Sequence, residues 1–327
     1  MVKPLTDSFG RVHRDLRISV TDRCNFRCVY CMPAEGMVWL PRSEVLSFEE
    51  IERIATLFVE RYGVDSIRLT GGEPTVRAHL PVLVAKLAAL DVDLALTTNG
   101  STLPLLADEL AAAGLRRVNV SLDSLRADRF RELTRRDGLD DVLAGIDAAA
   151  AAGLAPVKVN VVAMRGRNDD EIVDFAEFAR ERGVVVRFIE PMPLDGGGEW
   201  ADQQVVPAEE IVRTIDAVHP LEPVTRGHEP AERFRFADGA GEIGVIGSVT
   251  APFCDSCDRV RLTAEGQLRS CLFATDEHDL RSVLRGGGSD DDLAEVIEAA
   301  VGAKWAGHRI GRVDFVRPRR SMSQIGG

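Results

Sequence analysis

Six cysteines are the residues of this sequence best suited to metal or redox chemistry, and they fall into two groups of three. The first group, Cys24, Cys28 and Cys31, lies in "TDRCNFRCVYC" with C-x3-C-x2-C spacing. The second group, spaced C-x2-C-x13-C, consists of Cys254, Cys257 and Cys271. A structural zinc ion takes four ligands and a disulfide takes two, so a set of three suits neither. An iron–sulfur cubane held by three thiolates leaves one iron open to an exogenous ligand.

Two other interpretations of the cysteines stay open at this point. The second triad predicts a Cys3His zinc site if His278 supplies the fourth ligand, although the spacing is not that of a usual zinc finger. The cysteines could also be inert buried residues, but six inert cysteines have no reason to divide so cleanly.

The composition bounds the class of protein. The chain has 327 residues, 45% hydrophobic and 28% charged, with a net charge of −12. This charge argues against nonspecific nucleic-acid binding, which needs a basic field. No apolar run reaches the ~20 residues of a membrane helix. Because "MVKPLTDSFG" lacks the apolar stretch of a secretory signal, we expect a cytoplasmic protein with reduced thiols, no membrane contact and any anion site confined to a local basic pocket.

The elements that must position the cysteines alternate between strands and helices as far as residue 218. The predicted strands are 16–20, 66–70, 93–98, 117–122, 157–162 and 186–190. This alternation predicts an α/β fold with a parallel sheet, an incomplete (β/α)6 TIM-like barrel over residues 1–220. Pro- and Gly-rich segments and short strands then predict a smaller α+β C-terminal domain, residues 221–327, which holds the second triad and closes the barrel.

Alternation within the strands predicts a polar lumen. One face of each strand carries Arg17 and Ser19, Arg68 and Thr70, Asn119 and Ser121, or Lys158 and Asn160, and Arg187 has a similar position. An ordinary barrel is filled by Val, Ile and Leu, so buried polar residues on four strands require polar partners. Pairing with acidic residues on neighbouring strands is one explanation. The repetition favours a cavity that binds a polar ligand.

The first triad and a second motif resemble the radical S-adenosylmethionine (SAM) superfamily. Tyr30 precedes the third cysteine of the C-x3-C-x2-C motif, and "LTGGEP" follows the second strand, with Gly71, Gly72 and Glu73 in place. The resemblance implies a [4Fe–4S] cluster whose open iron chelates SAM, with the Gly-Gly-Glu-Pro element near the methionine amino group. It also implies that reductive cleavage of SAM gives a 5′-deoxyadenosyl radical, so we expect a closed lumen that shields the reaction.

The whole chain resembles the branch of this superfamily that acts on GTP in the first step of molybdenum-cofactor biosynthesis. The likeness runs through "GRVHRDLRISVTDRCNFRCVYCMP", "TTNG", "RVNVSLDS", "RFIEPMP", "FCDSCDRVRLTAEGQLRSCLF" and "SQIGG". It implies a second [4Fe–4S] cluster on Cys254, Cys257 and Cys271 whose open iron contacts guanine. It further implies that the radical takes the C3′ hydrogen of GTP and that C3′ then bonds to C8.

The same resemblance assigns individual residues. It implies GTP binding by Arg17, Arg68, Thr97, Lys158, Arg259, Val260 and Arg261. It implies SAM contacts from Tyr30, Gly72, Ser121 and Met192, and catalytic roles for Arg17, Gly326 and Gly327. Composition alone predicts a frayed end for the last two residues. Ser66 replaces a common basic residue and Pro191 a common bulky one, which predicts a looser phosphate contact and an altered backbone beside Met192.

The implied partners are GTP, a flavodoxin- or ferredoxin-like electron donor and, downstream, cyclic pyranopterin monophosphate synthase, with the chain a monomer or homodimer. Two other functions fit part of the sequence. A radical SAM enzyme that modifies a peptide usually has more cysteines in its C-terminal extension. A zinc-ribbon binding module predicts a basic surface, which the charge of −12 does not favour.

Overall fold

The structure is a computed structural model that describes residues 2–194, 202–227 and 229–326. Its strands are β1 Asp15–Ser19, β2 Ser66–Thr70, β3 Asp93–Thr98, β4 Arg117–Ser121, β5 Val157–Val162, β6 Val185–Ile189, β7 Leu221–Val224, β8 Glu232–Phe236, β9 Glu242–Ile246, β10 Arg259–Leu262, β11 Gln267–Arg269 and β12 His278–Asp279. Its α-helices are α1 Phe48–Tyr62, α2 Leu80–Ala88, α3 Leu103–Ala112, α4 Ala127–Thr134, α5 Leu139–Ala151, α6 Ile172–Arg182, α7 Ala208–Asp216, α8 Leu280–Arg285, α9 Asp290–Gly302 and α10 Met322–Ile325.

The predicted strand–helix alternation is confirmed. Strands β1 to β6 lie side by side in chain order as parallel neighbours, each within one residue of its expected bounds. Consecutive parallel strands need crossover connections, which the helices between them supply. The sheet runs in the order β12-β11-β10-β1-β2-β3-β4-β5-β6-β9-β8-β7, so it ends at β12 and β7. This open arrangement is the incomplete barrel that was expected.

The C-terminal part of the chain contributes strands to both edges of this sheet. β10 pairs in parallel with β1, and β9 pairs in parallel with β6. The short strands expected in this part are therefore present, but they extend the first sheet instead of forming a separate one. The division at residue 220 stays a prediction, and one continuous sheet crosses it.

Helix α1 shows how local sequence positions an element around the sheet. The Ser47 hydroxyl accepts from the Glu50 N–H, and the Glu50 carboxylate accepts from the Ser47 N–H, so a capping box begins the helix. Gly63 ends it at φ 71°, a conformation that glycine adopts without strain. Among the helices that the structure describes, none is long and apolar enough to cross a membrane.

The two faces of the central strands differ as predicted. Leu16, Ile18, Ile67 and Leu69 lie on the helix side and are fully buried in the hydrophobic core. On the other face, the register places Arg17 between Arg68 and Arg261, and Asn160 beside Arg187. Since alternate side chains point to opposite faces of a sheet, the polar residues share one side. The polar lumen is therefore confirmed.

Candidate functional site

The first cysteine triad lies in the loop that follows β1. All three thiols are free and half-buried. Burial raises the pKa of Cys24 to about 11 and that of Cys31 to about 12, and the charge of Cys24 contributes at Cys31. Burial also raises the pKa of Cys28, and the charges of Cys31 and Cys24 add to this effect. Because these thiols raise one another's pKa, their ionisation requires a nearby cation, and the donor set fits one [4Fe–4S] cluster with an open iron.

The Gly-Gly pair after β2 packs directly against the loop that carries this triad. The Gly72 N–H donates to the Thr21 carbonyl at 2.8 Å, and the Glu73 N–H donates to the Arg23 carbonyl at 2.7 Å. A Cβ on Gly71 would meet the Thr21 carbonyl oxygen, and a Cβ on Gly72 would meet that of Arg23. Two glycines are therefore required for this close approach. Gly72 thus lies beside the cysteine loop, and its contact with SAM stays a prediction.

The Glu73 carboxylate is buried, and both of its oxygens accept hydrogen bonds from neighbouring residues. It accepts from the Thr75 N–H at 3.0 Å, from the Thr98 hydroxyl at 2.7 Å and from the Asn99 N–H at 2.6 Å. Burial raises its pKa, and these bonds oppose the rise. The side chain thus ties the end of β2 to the end of β3, which positions the preceding glycines.

Tyr30, Ser121 and Met192 line one cavity at the carboxyl end of the parallel strands. The Tyr30 hydroxyl donates to a carboxylate oxygen of Asp123 at 2.7 Å, and the Val162 N–H donates to the other oxygen at 2.8 Å. Burial raises the pKa of Asp123 to about 6. Sequence reasoning missed Asp123. Its place two residues after Ser121, at the end of β4, was the available signal.

The second cysteine triad opens into the same cavity. Cys254 begins a short 3-10 helix, Cys257 follows that helix two residues before β10, and Cys271 lies two residues after β11. All three line the cavity, together with Tyr30 and Met192. Within residues 2–194, 202–227 and 229–326, no three His, Cys, Asp or Glu side chains converge closely enough to hold a single metal ion. The Cys3His zinc alternative with His278 is therefore unsupported, whereas a cubane needs more widely spaced ligands.

His13, which is fully buried near the second triad, makes stability depend on pH. Its Nε2 lies 3.1 Å from Asp7 Oδ2, and its Nδ1 lies 3.4 Å from Lys304 Nζ. Burial, followed by the Lys304 charge, lowers its pKa to about 4. The unfolded chain binds this proton below pH ~6.5 and the folded chain below pH ~4, so the free energy of unfolding falls as pH decreases between these values.

We predict that His13 alone lowers the free energy of unfolding by about 2 kcal/mol when the pH falls from 7 to 5. Denaturant unfolding at both pH values measures this loss, with both proteins in the same cluster state. The drop in unfolding free energy from pH 7 to pH 5 should be about 2 kcal/mol smaller in His13→Gln than in the native chain. An identical pH dependence in the two proteins would contradict the assignment.

A group of arginines crowds the floor of the cavity around Asp15. The Arg17 Nε lies 3.7 Å from the Asp15 carboxylate. Burial alone raises the pKa of Asp15, but four neighbouring arginines outweigh burial and lower that pKa. These are Arg17, Arg68, Arg259 and Arg261. Burial lowers the pKa of Arg17 well below its usual value, and the charges of Arg259 and Arg68 add to this. One carboxylate cannot neutralise four guanidinium groups.

The buried arginines also have unused hydrogen-bond donors. Among the described residues, Arg17 Nε and Arg68 Nε are buried without a hydrogen-bond partner. Both side chains line the cavity, as do Arg259 and Arg261. A buried charged donor without a partner is costly, so the site is built for an anionic ligand that supplies acceptors.

Thr97 and Lys158, two residues expected to bind the substrate, have different surroundings: one lines the cavity and the other is paired with a carboxylate. Thr97 lines it, and its hydroxyl accepts from Asn119 Nδ2 at 3.3 Å. Lys158 is buried and donates to both carboxylate oxygens of Glu229 at 3.0 Å. The sequence therefore identified Lys158 as an inward cation but did not identify the acid that neutralises it, because Glu229 lies in a loop outside the strand pattern.

Val260, which the resemblance implies to bind GTP, has a side chain that points away from the cavity. Its side chain is buried in the hydrophobic core on the helix side of β10, opposite Leu16 in register. The neighbouring Arg259 and Arg261 point to the other face and line the cavity. Any contact from Val260 must therefore come from its main chain.

The C-terminal segment enters the site beside β1 and β2. The Ser19 hydroxyl donates to the Ile325 carbonyl at 3.1 Å, and Arg261 donates to the Gly326 carbonyl. Gly326 has φ 83°, and a Cβ there would meet the Ser19 hydroxyl and lie 2.8 Å from the Thr70 methyl group. Gly326 is therefore held between β1, β2 and Arg261, its catalytic role stays a prediction, and Gly327 lies outside the described residues.

Sequence reasoning did not assign a site role to Arg187 or Phe253. Arg187 lines the cavity, where its guanidinium donates to the side-chain oxygens of Asn119 at 2.8 Å and Asn160 at 2.7 Å. Burial lowers its pKa to about 9, and the Arg68 charge adds to this. The Phe253 ring lies 4.6 Å from the Arg259 guanidinium, a cation–π contact at the cavity wall. Arg187 was detectable as an inward strand residue, whereas Phe253 lies outside a regular element.

Comparisons with known proteins indicate the family of this chain. Residues 18–179 match the family described as the Radical SAM superfamily, and residues 184–310 match Molybdenum Cofactor Synthesis C. A Mycolicibacterium smegmatis protein named GTP 3′,8-cyclase is 49% identical, covering 99% of this chain and 92% of the relative. A Streptomyces coelicolor protein of the same name is 48% identical, covering 99% of this chain and 96% of the relative.

Similarity to solved structures concerns the fold alone. The crystal structure of Streptococcus suis SuiB bound to precursor peptide SuiA aligns with a TM-score of 0.50 and 17% sequence identity. The alignment covers 63% of this chain and 45% of that chain. It agrees with the incomplete parallel barrel described above.

Proposed function

This chain belongs to the radical SAM superfamily and, within it, to the GTP 3′,8-cyclases, and from this we propose that it cyclises GTP in the first step of molybdenum-cofactor biosynthesis. One observation carries the proposal. A single cavity is lined by residues expected to contact SAM, by the second cysteine triad and by buried arginines with unused donors. Such a cavity suits a reaction in which SAM and an anionic nucleotide must meet.

Two cofactor sites follow from the cysteine donor sets. Cys24, Cys28 and Cys31 would hold the [4Fe–4S] cluster that binds SAM, and the second triad would hold a further [4Fe–4S] cluster beside the guanine. The chemistry supplied by the bound SAM and its cluster is one-electron cleavage of SAM and removal of the C3′ hydrogen atom of the substrate. Tyr30, Ser121, Met192 and the backbone at Gly72 would contact SAM.

The protein's own contribution is to bind and orient GTP. Arg17 and Arg68 have unused guanidinium donors that suit the triphosphate or ribose, and Arg259 and Arg261 are placed beside the second triad. Thr97 would add a hydroxyl contact, Lys158 a charge and Val260 a main-chain contact. Gly326 would approach the reacting ribose together with Arg17, and the catalytic role proposed for Gly327 rests on the family alone. Orientation matters because C3′ and C8 must be held close for the new bond to form.

The Lys158–Glu229 pair predicts that a carboxylate opposes nucleotide binding. Glu229 accepts two hydrogen bonds from Lys158, and its side chain is 41% exposed. A triphosphate that approaches Lys158 meets this negative charge. We expect Glu229→Gln to lower the KM for GTP about threefold to tenfold, a range that allows for solvent screening.

Steady-state kinetics at fixed SAM concentration would measure this change. The matched control is Glu210→Gln, which removes an exposed carboxylate paired with Arg165 and should leave KM unchanged. A higher KM in Glu229→Gln would instead mean that Glu229 holds Lys158 in its binding position.

The proposal also concerns the protein's surroundings. All six cysteines are free, and we place the enzyme in the cytoplasm, where thiols stay reduced. A flavodoxin- or ferredoxin-like protein would supply the electrons. The cyclised product would pass to cyclic pyranopterin monophosphate synthase.

Anaerobic reconstitution tests the proposed function. The purified chain should bind about eight irons, as expected for two [4Fe–4S] clusters. With SAM, a reductant and GTP it should form 5′-deoxyadenosine together with a cyclised guanosine triphosphate, detected by mass spectrometry. ATP in place of GTP should give no cyclised product. A colourless zinc protein, or SAM cleavage that ignores GTP, would contradict the proposal.

A further inference from the structure

The segment Lys304–His308, which follows α9, packs against the second cysteine triad. Lys304 is 4% exposed. Its ammonium donates to the Arg259 carbonyl at 2.8 Å and lies 3.4 Å from the Cys257 carbonyl and 3.6 Å from the Cys257 sulfur. One cation thus contacts a proposed cluster ligand and the main chain of the neighbouring strand. An ammonium group is strongly hydrated, so its burial at this place needs a compensating negative charge.

A second part of the same segment contacts Cys254. A Cβ on Gly307 would lie 3.1 Å from the Cys254 Cβ and 3.3 Å from its sulfur, so a side chain there would press on the thiol. The His308 N–H donates a hydrogen bond to the Cys254 sulfur. The His308 ring lies 2.8 Å from the Ser248 carbonyl, which anchors the residue. The segment therefore offers an N–H group to two of the three sulfurs.

Arg11 holds this segment to the triad. Its guanidinium donates to the Cys254 and Ala306 carbonyls at 2.7 Å and to the Trp305 carbonyl at 2.6 Å. Asp7 accepts from Arg11 Nε at 2.6 Å. The turn that carries Cys254 and the segment after α9 are thus joined by one side chain, and the arrangement is built into the fold.

His13 connects Asp7 to Lys304 beneath the triad. Since a lysine ammonium only donates, His13 Nδ1 accepts from Lys304 and Nε2–H donates to Asp7. The three ammonium protons thus serve the Arg259 carbonyl, His13 Nδ1 and, shared between them, the Cys257 carbonyl and sulfur. Hydrogen bonds to ligating sulfurs, and nearby positive charge, raise the reduction potential of iron–sulfur clusters.

We propose that Lys304 is a positioning residue for the second cluster: its ammonium donates to the Cys257 sulfur, stabilises the reduced cluster and fixes the Arg259 main chain beside the substrate. The inference rests on the proposed function, because it needs a cluster at Cys254, Cys257 and Cys271. It goes beyond that function by assigning control of the second cluster's potential to a residue outside the cysteine motif.

The test compares Lys304→Met, which keeps the length but removes the donor and charge, with Lys304→Arg and with Lys3→Met. Lys3 forms an exposed pair with Glu298 and is the matched surface control. Each full-length protein is reconstituted anaerobically, and its clusters are titrated by electron paramagnetic resonance. Variants with Cys24, Cys28 and Cys31 replaced by alanine allow the second cluster to be titrated alone. Iron release to a chelator is measured in parallel.

In Lys304→Met we expect the midpoint potential of the second cluster to become more negative while that of the first stays unchanged. Chelator release of the second cluster should quicken by about 10- to 100-fold. Lys304→Arg should keep most of the native midpoint potential and most of the native resistance to the chelator. Lys3→Met should change neither the potential nor the release rate. If Lys304→Met does not fold, Lys304→Gln, which keeps a neutral donor, should show the same negative shift.

Two results would overturn the inference. If the native chain holds two clusters and both potentials are unchanged in the folded Lys304 variants, Lys304 has no such role, although the proposed function stands. If the native chain holds no cluster at the second triad, the two-cluster proposal and this inference fail together. Iron content of the native protein separates these results before any variant is made.

Discussion

Arg17→Met should lower kcat/KM for GTP by about 100-fold or more while leaving the ligand-free protein folded and at least as stable. Each charge-assisted hydrogen bond lost contributes about 1.5–3 kcal/mol, so one or two lost contacts give this reduction. The ligand-free chain instead loses a buried cation whose pKa is depressed by burial and by Arg259 and Arg68. Asp15 keeps Arg68, Arg259 and Arg261 as neighbours, so removing one of four crowded cations relieves repulsion without leaving that carboxylate uncompensated.

Steady-state kinetics and denaturant unfolding, each with and without GTP, measure both halves of this prediction. GTP should stabilise the native chain against unfolding and should stabilise Arg17→Met much less. Arg165→Met is the matched control, because it removes an exposed arginine paired with Glu210. Unchanged kcat/KM in Arg17→Met would show that the unused donors of the cavity do not serve GTP.

Gly326→Ala should reduce kcat by about 100-fold, since displacement by about 1 Å at a reacting centre can have an effect of this size. The added Cβ meets the Ser19 hydroxyl and the Thr70 methyl group, and the backbone has a φ of 83° that alanine adopts only with strain. The tail must therefore leave its place between β1 and β2. Its hydrogen bond from Arg261 is lost with it.

The matched control for this prediction is Gly311→Ala. Gly311 has φ 80°, so alanine suffers the same backbone strain, but a Cβ there meets nothing within 4 Å. Single-turnover kinetics should therefore show a large loss in Gly326→Ala and a small one in Gly311→Ala, with similar unfolding free energies. Equal rates in the two variants would mean that seating of the tail does not limit the reaction.

Much of the barrel could be predicted from the sequence because its pattern is local. Strand residues alternate with period two, so Arg17, Arg68 and Lys158 could be assigned to one face from the order of residues alone. The two cysteine triads could likewise be recognised from the spacing of the cysteines in the sequence. A site role for Gly326 was expected only through resemblance, since a terminal Gly-Gly pair has no pattern of its own, and its approach to Ser19 was not predicted.

The remaining features depend on contacts between distant parts of the chain. The pairing of β10 with β1 joins residues near 260 to residues near 16, and nothing in either strand specifies the other. Glu229 reaches Lys158 from a loop, and Lys304 reaches Cys257 from the end of a helix. Each is a single charged residue whose partner is set by tertiary packing, so periodicity could not reveal it.

The central claim is that one cavity brings SAM and the GTP ribose together, and deuterium transfer tests it most directly. GTP labelled with deuterium at C3′ is turned over anaerobically with SAM and a reductant, and the 5′-deoxyadenosine is analysed by mass spectrometry. We predict that deuterium from C3′ appears in 5′-deoxyadenosine alongside the cyclised nucleotide, and that GTP labelled at C8 transfers none. Unlabelled 5′-deoxyadenosine formed from C3′-labelled GTP would contradict the account.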